Sequence, residues 1–411
     1  MTPATSVHTS EGLRTGSAEL RRLNLAMLCA ALAAFGLLYA TQALLPTVGT
    51  AFGVGPTAAS LTVSVATGAL ALAILPLSSL AESVGRVPVM RTGLLVACAC
   101  TFVAAGAPYF WVLLVARGVV GVALAAVVAV AVAHLGDEVH PAELGTAIGV
   151  YVAGNTLGGI SGRLIPGLVE ESSSWRVAVG LLGVVALLAV AAFTVLLPPA
   201  RRFRPAPAHL GTHMRTLRTL ASDGRILRLC GLAFVLMGGF VACYNYLTFR
   251  LEAAPLGLST TLTSLLFLAY LAGTVSSPLA GRLSDRFGRR RLVLLGIATS
   301  LVGLAITLPD HVATITVGLL VFTAGFFAAH SVASSWVSSL AAGGRSQAAA
   351  MYLMSYYAGS SAFGALIGLA FQSGGWPRAA LAIAALYLVG AALTLSLSRH
   401  SGPVESALRA S

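Results

Sequence analysis

A short charged element, an acid followed three residues later by Gly-Arg, occurs twice in the 411-residue chain, each time at the end of an apolar stretch. The copies are 203 residues apart, about half the chain length, which predicts two homologous halves. A carboxylate and a guanidinium at a helix end can form charge contacts that break when helices rock, so the pattern favours a conformational gate. Topological anchoring by positive charge is the alternative for the arginines. The gate candidates are Glu82, Gly85, Arg86, Asp285, Arg286, Gly288 and Arg289.

Two residues inside apolar stretches could bind or move charge. Arg117 lies seven residues into a run that begins at Phe110, and no acid lies at comparable depth in any run. A charge within the membrane is costly, which makes Arg117 a candidate functional residue, with snorkelling to the interface as the alternative. His330 could titrate near neutral pH and carry a coupling proton, and a purely structural role is its alternative.

Most other polar side chains within the apolar runs are tyrosines and amides. Pockets for small ligands are mostly apolar with a few placed polar groups, so these residues predict a substrate cavity. Tyrosine is also frequent at membrane interfaces, which is the competing explanation. The cavity candidates are Tyr39, Gln42, Asn155, Tyr244, Asn245, Tyr270, Tyr356 and Tyr357.

These residues are set in a very apolar chain. It is 57% hydrophobic and 9% charged, with a mean hydropathy of +0.90, whereas soluble domains carry about 25% charged residues. The composition predicts an integral membrane protein. We find no phosphate-binding glycine loop, metal-spaced His/Cys cluster or nucleophile elbow, so no enzyme, metal site or cofactor is expected. The net charge of +12 comes from arginines scattered over loops, which disfavours nucleic-acid binding.

Twelve apolar runs are each long enough to cross a bilayer, which takes roughly 20 residues as helix. We therefore predict an all-α integral membrane fold with twelve transmembrane helices in two six-helix bundles related by an internal repeat. The predicted spans are Leu23–Leu45, Thr57–Leu80, Val87–Ala107, Phe110–His134, Ala142–Val169, Trp175–Leu197, Leu227–Thr248, Thr260–Leu283, Arg291–Leu308, Val312–Leu340, Gln347–Phe371 and Trp376–Ser398. The predicted domains are a cytoplasmic tail (1–22), a first bundle (23–197), a cytoplasmic linker (198–226), a second bundle (227–398) and a cytoplasmic tail (399–411).

All 25 basic residues are arginine, and their distribution predicts the orientation. With the N-terminus inside, the outer connections hold only Arg163, Arg176, Arg250 and Arg378, and Arg117 lies within a span. Short cytoplasmic loops attract basic residues, so both termini are predicted to be cytoplasmic. We expect a monomer in the bacterial inner membrane.

The fifth predicted span carries a stripe of glycines. Gly154, Gly158 and Gly162 are spaced by four residues and share one helix face, with Asn155 and Gly159 beside them. Such a stripe lets two helices pack closely, which would explain the glycines in any membrane bundle.

Three motifs resemble those of one family. The run Gly281-Arg-Leu-Ser-Asp285-Arg-Phe-Gly288-Arg-Arg-Arg291 looks like the signature of the major facilitator superfamily. Arg117-Gly-Val-Val-Gly121 resembles the fourth-helix motif of its proton-coupled exporters, and the glycine stripe resembles their fifth-helix motif, with Asn155 where Pro is common. The stripe is most similar to that of the twelve-helix drug:proton antiporter group, including the multidrug and arabinose efflux-like subfamily.

The resemblance implies alternating access to a central site between two rigid bundles, with charge contacts of Asp285 and its neighbouring arginines holding one state. It predicts export of a small organic solute, drug-like or sugar-type, driven by the proton gradient through antiport. Uptake of a small metabolite by a proton symporter or a facilitator is the first alternative. A non-transporting membrane receptor or scaffold is the second. The expected partners are the solute, the lipid bilayer and protons.

Overall fold

The computed structural model describes residues 12–203, 217–341 and 344–397, and helices account for nearly all of them. The predicted C-terminal tail, residues 1–11 of the predicted N-terminal tail and residues 204–216 of the predicted linker lie outside these ranges. The helices, numbered in chain order, are α1 Ala18–Phe52, α2 Pro56–Val84, α3 Arg86–Ala105, α4 Phe110–Glu138, α5 Leu144–Glu170, α6 Trp175–Leu196, α7 Gly224–Glu252, α8 Thr260–Phe287, α9 Arg289–Ile306, α10 Val312–Leu340, α11 345–373 and α12 376–395.

Nine helical segments in the described part of the chain are long and apolar enough to cross a membrane. One of them, Arg345–Leu395, turns sharply at Gly374 and Gly375 and therefore contains two spans, α11 and α12. Two more polar helices complete the set of twelve: α5, which carries a buried arginine, and α9, which begins with three arginines. The predicted all-α fold with twelve helices is confirmed.

The two halves repeat one packing pattern. In the first half α1 packs on α5 and α6, and α4 packs on α2 and α3. In the second half α7 packs on α11 and α12, and α10 packs on α8 and α9. The halves meet where α2 contacts α11 and where α5 contacts α8, which are equivalent helix pairs under the repeat. The two bundles are therefore related by a pseudo-twofold axis that runs between them.

Local capping sets helix ends that the apolar pattern does not reveal. Helix α1 begins at Ala18, five residues before the predicted first bundle, because Ser17 accepts a hydrogen bond from the Leu20 N–H. Helix α7 begins at Gly224 after Asp223, which accepts hydrogen bonds from Arg225, and these bonds lower the pKa of Asp223 to about 2.

Helix α1 is interrupted in the middle of the bundle. Its first segment ends at Leu38, and a short tight turn at Gln42–Leu44 leads into the second segment, Leu45–Phe52. An interruption inside a membrane exposes main-chain carbonyls that must find donors elsewhere in the protein, since lipid offers none. The break in α1 therefore needs a polar partner, and it also places side chains of residues 39–42 in the interior.

The glycine stripe of α5 lies directly against α1. A Cβ added at Gly158 would lie 2.5 Å from the Leu32 carbonyl oxygen, and Gly154 and Gly162 face Leu28 and Gly36 in the same way. The neighbouring atoms at Gly158 belong to the α1 backbone and can move only together with the helix. The stripe thus brings two helices together closely, as its spacing predicts.

We expect the Gly158→Ala variant to be destabilised by about 1–3 kcal/mol, because the added methyl group forces α1 and α5 apart. The matched control is Gly149→Ala on the same helix, where no atom lies within 4 Å of the added Cβ. The thermal unfolding midpoint of the purified proteins in detergent is the measurement. Equal midpoints for the two variants would show that α1 and α5 are less closely packed than the structure describes.

Candidate functional site

The halves are in direct contact toward one side of the bundle, and a cavity lies between them toward the other. We call the end at which α1 begins the near side, and the end at which α2 begins the far side. Toward the far side, Tyr246 donates a hydrogen bond to Ser60 (3.1 Å) and Thr261 donates one to the Gly167 carbonyl (3.3 Å), both across the two halves. On the near side, a cavity of about 280 Å³ lies between α2 and α11, beside Glu82.

A polar pair marks the pseudo-twofold axis. The Gln42 amide donates to the Asn245 side-chain oxygen at 2.7 Å, and both residues are fully buried. These residues are 203 positions apart, the offset that separates Gly85 from Gly288, so they are equivalent positions of the two halves. The break in α1 places Gln42 here. Two predicted cavity residues thus form a direct link between the bundles at their centre.

Arg163 of α5 extends this link. Its Nε donates to the Gln42 side-chain oxygen (2.7 Å), one terminal nitrogen donates to the Tyr270 hydroxyl (3.2 Å), and the other donates to the Gly159 carbonyl. The side chain is 1% exposed. The sequence-based placement of Arg163 in an outer connection is therefore wrong, because the residue lies inside α5 and its long side chain points to the centre of the bundle.

The charge of Arg163 has only neutral partners. No ion pair within the described residues includes it, and its acceptors are an amide, a phenol and a main-chain carbonyl. Its guanidinium lies over the rings of Tyr39 (4.0 Å), Tyr270 (4.6 Å) and Phe267 (5.2 Å). Such cation–π contacts contribute about 0.5–2 kcal/mol each, against a burial cost of several kcal/mol for an unpaired ion. A charge retained at this cost indicates a functional role.

Aromatic rings continue from Arg163 through the second half. Tyr270 contacts Tyr244 (ring centroids 4.8 Å apart), and Tyr244 contacts Phe240, which stacks on Phe326. The series ends in a group of residues on α10 and α11. There His330 shares a hydrogen bond with Tyr352 (3.0 Å), and the centroid of the His330 ring lies 4.7 Å from that of the Tyr356 ring. The ring of Tyr357 is adjacent to that of Tyr356. The structure therefore joins the predicted cavity tyrosines and His330 into one cluster.

One face of α5 leads from Arg163 to the near side and becomes steadily more exposed. Gly145, Gly149, Val152 and Arg163 share this face by helical spacing, and it is distinct from the face that packs on α1. Arg163 is buried, Val152 is 49% exposed, and both glycines are exposed. Asn155 lies at the border of this face and is half-buried. The cluster around Arg163 is thus the closed end of an opening toward the near side.

Arg117 lies elsewhere and has a different set of partners. It is also 1% exposed, and its three nitrogen atoms donate to the carbonyls of Thr62 (2.9 Å), Leu37 (2.7 Å) and Leu38. Leu37 and Leu38 end the first segment of α1, where the helix dipole is negative and helical pairing of the carbonyls is incomplete; the Leu37 carbonyl also accepts from the Ala40 N–H (3.4 Å). The residue therefore caps the break in α1. It does not snorkel to an interface, and its position favours an anchoring role over the predicted role in coupling.

The charged loops on the near side form contacts within each half. Gly85 and Gly288 have φ angles of 112° and 86° and make the predicted sharp turns between α2 and α3 and between α8 and α9. Arg86 pairs with Asp137 at the end of α4 (2.5 Å). At the equivalent position of the second half, Arg289 bonds to Ser339, a neutral partner. Arg86 and Arg289 thus each contact an adjacent helix end within their own half, and their role in a gate stays a prediction.

The other predicted gate residues are placed differently. Asp285 and Arg286 are exposed, and Asp285 forms no ion pair with a residue that the structure describes. Glu82 lines the cavity between α2 and α11 and so faces the second half. The role of Asp285 in holding one state of a transport cycle stays a prediction.

A double-mutant cycle of Arg86→Gln and Asp137→Asn is expected to give a coupling energy of about 1 kcal/mol, because the two side chains are only partly exposed and the distance between their charged atoms is short. Unfolding midpoints of the four proteins give the value. The matched cycle of Arg289→Gln and Ser339→Ala should give a smaller coupling, since Ser339 carries no charge. A larger coupling at Arg289 than at Arg86 would contradict this assignment.

Comparison with known proteins agrees with this architecture. A family model described as Major Facilitator Superfamily matches residues 25–273 and 251–410. Two relatives are each 38% identical: the MFS-type transporter YybF of Bacillus subtilis, over 364 residues (89% of this chain, 90% of the relative), and the inner membrane transport protein YnfM of Escherichia coli, over 388 residues (94% and 93%).

Solved structures show the same fold at low identity. A bacterial homolog to the human lysosomal transporter Spinster, in an inward-facing and unoccupied conformation, has a TM-score of 0.71 and 15% identity over 92% of this chain and 94% of its own. The nucleoside transporter NupG has a TM-score of 0.76 and 14% identity, over 91% and 99%. The protein is a multi-pass membrane protein of a transporter family and not an enzyme. The chain belongs to the major facilitator superfamily.

Proposed function

We propose that the protein is a secondary active transporter that exports a small organic solute across the bacterial inner membrane by alternating access and proton antiport. One observation carries the proposal: the polar network of Arg163, Gln42, Asn245 and Tyr270 lies on the axis between two equivalent bundles, at the closed end of an opening. A site held by both halves is the place where a rocking motion can change access from one side to the other.

The distribution of arginine supports a cytoplasmic near side. In the described part of the chain, the arginines at the far-side ends are Arg176, Arg250 and Arg378, whereas the near side carries the charged loops around Arg86 and Arg289. By the positive-inside rule, this distribution supports cytoplasmic termini. In this orientation the opening faces the cytoplasm, which is the state in which an exporter takes up its solute.

Export and antiport are supported by the resemblance of the fourth- and fifth-helix motifs to those of proton-coupled exporters. Most of the glycine stripe serves helix packing, so it carries less weight for function than Arg163 does. Uptake by a symporter or facilitator, and a receptor without transport, are the competing functions, and each predicts a different result in the following experiment.

The test uses everted membrane vesicles, in which the cytoplasmic face points outward, and a panel of cationic dyes, antibiotics, sugars and aromatic sulfonates. At least one solute should enter energised vesicles that contain the protein, with proton release from the lumen, and a proton uncoupler should abolish its accumulation. Accumulation only in right-side-out vesicles would establish uptake. Flux that is unchanged by the uncoupler would establish a facilitator, and no flux in proteoliposomes would favour a receptor or scaffold.

A further inference from the structure

The guanidinium of Arg163 has unused hydrogen-bonding capacity at the closed end of the opening. A guanidinium has five N–H donors, and the contacts to Gln42, Tyr270 and Gly159 account for three of them. The Tyr270 hydroxyl accepts from Arg163, so its own hydrogen remains available for a further acceptor. The site therefore offers several donors and a positive charge to one incoming group.

The buried arginines of this protein differ in the groups that compensate their positive charge. Arg250 pairs with Asp310 (2.8 Å), and Arg117 meets the negative end of a helix segment. Arg163 has neither kind of partner among residues 12–203, 217–341 and 344–397, and it is the arginine that touches residues of both halves at the axis. An anion is the group that would complete its surroundings.

The rings beside this charge indicate the shape of the rest of the ligand. Tyr270, Phe327, His330 and Tyr356 are only half-buried, unlike the rings packed behind them. Their centroids lie 6.0 Å apart for Tyr270 and Phe327 and 4.7 Å apart for His330 and Tyr356. Partly exposed rings next to one another favour stacking with a flat apolar body.

We infer that the solute is an aromatic or conjugated organic anion whose acidic group binds Arg163 and Tyr270 and whose flat body packs on the half-buried rings. This inference rests on the proposed function, since it names the chemical class of the transported solute. Binding of the anion replaces the contact between Arg163 and Tyr270 by a contact through the ligand, so the solute enters the link between the two halves.

Binding to the purified protein in detergent tests the inference without any need for transport. The probes are naphthalene-2-sulfonate and its neutral analogue naphthalene-2-sulfonamide, followed by calorimetry. The sulfonate should bind more tightly than the sulfonamide, and Arg163→Gln should weaken sulfonate binding at least about tenfold while sulfonamide binding stays unchanged. Arg163→Lys should retain part of the affinity. Arg378→Gln, which removes an exposed far-side arginine, is the matched control and should bind as the wild type does.

Equal affinity for the two probes, no binding of the sulfonate, or equal loss in Arg163→Gln and Arg378→Gln would overturn the inference. Its failure can be distinguished from failure of the proposed function. Proton-coupled flux of cationic or neutral solutes that does not need Arg163 would contradict the anion inference and agree with the proposed export function. Charge-selective binding without flux in proteoliposomes would support the anion site and contradict the proposed transport function.

Discussion

Replacement of Arg163 by Gln is expected to reduce transport strongly while the protein stays folded. The side chain donates to Gln42 and Tyr270 and so connects both bundles at the axis. A hydrogen bond to a charged group contributes about 1.5–3 kcal/mol, so we expect flux to fall roughly 10- to 100-fold. Stability should change little, because loss of the hydrogen bonds is offset by removal of a buried charge that has no ionic partner. Flux in proteoliposomes and the unfolding midpoint are the two measurements.

Two variants serve as controls for this result. Arg163→Lys keeps the charge but loses the planar fork, so it should transport at an intermediate rate. Arg378→Gln removes an exposed far-side arginine and should transport as the wild type does. Wild-type flux in Arg163→Gln would show that the network on the axis is only structural, and a large fall in its unfolding midpoint would lead to the same conclusion.

The network also suggests how a solute could bias the transport cycle. In the described state, Gln42 contacts Asn245 and Arg163 contacts Tyr270, and each contact joins one half to the other. Rocking of the bundles must change these contacts, since they lie between the moving bodies. A ligand shifts such an equilibrium only by the difference in its affinity for the two states. A solute that competes with Tyr270 for Arg163 makes that difference in the place where the halves meet.

The fold could be predicted from the sequence because its cause is local. Twelve apolar runs and the repeat of Gly85 and Gly288 at an offset of 203 residues were sufficient for twelve helices in two related halves. The exact ends of the helices were harder to predict from the sequence, since they depend on single capping side chains such as Ser17. The break in α1 was not predicted, because its apolar run continues through residues 39–44 without Pro or Gly.

The site was predicted in part. Tyr39, Gln42, Tyr244, Asn245 and Tyr270 were selected as polar or aromatic residues in apolar runs, and the structure gathers them around one charge. That charge, Arg163, was counted with an outer connection, although it follows the stripe that ends at Gly162. Its partners Gln42 and Tyr270 are 121 and 107 residues away in the chain, so no local pattern could identify them. A signal was nevertheless present, since Arg163 lies within the predicted fifth span.

Replacement of Arg117 by Gln is expected to have the opposite effect to replacement of Arg163, with loss of stability as the primary defect. Arg117 supplies the donors for the carbonyls of Leu37, Leu38 and Thr62 in the bundle interior. Thr62 lies within α2 and the Leu37 carbonyl also accepts from the Ala40 N–H (3.4 Å), so a shorter neutral side chain leaves mainly the Leu38 carbonyl without a partner, at about 1–3 kcal/mol for a buried group. We therefore expect a destabilisation of about 1–3 kcal/mol, measured as the unfolding midpoint in detergent beside that of Arg163→Gln.

The two arginines are equally buried and equally charged. A difference between the effects of their variants is therefore caused by their positions and contacts, and not by how deeply they are buried. Arg117→Lys should be destabilised less than Arg117→Gln, because an ammonium can still donate to the end of the first α1 segment. If Arg117→Gln kept the wild-type midpoint and lost transport, Arg117 would be a working residue, as its isolation in the sequence suggests. If it loses its fold and Arg163→Gln does not, the two buried charges have separate tasks: one holds the break that brings Gln42 to the axis, and the other acts there.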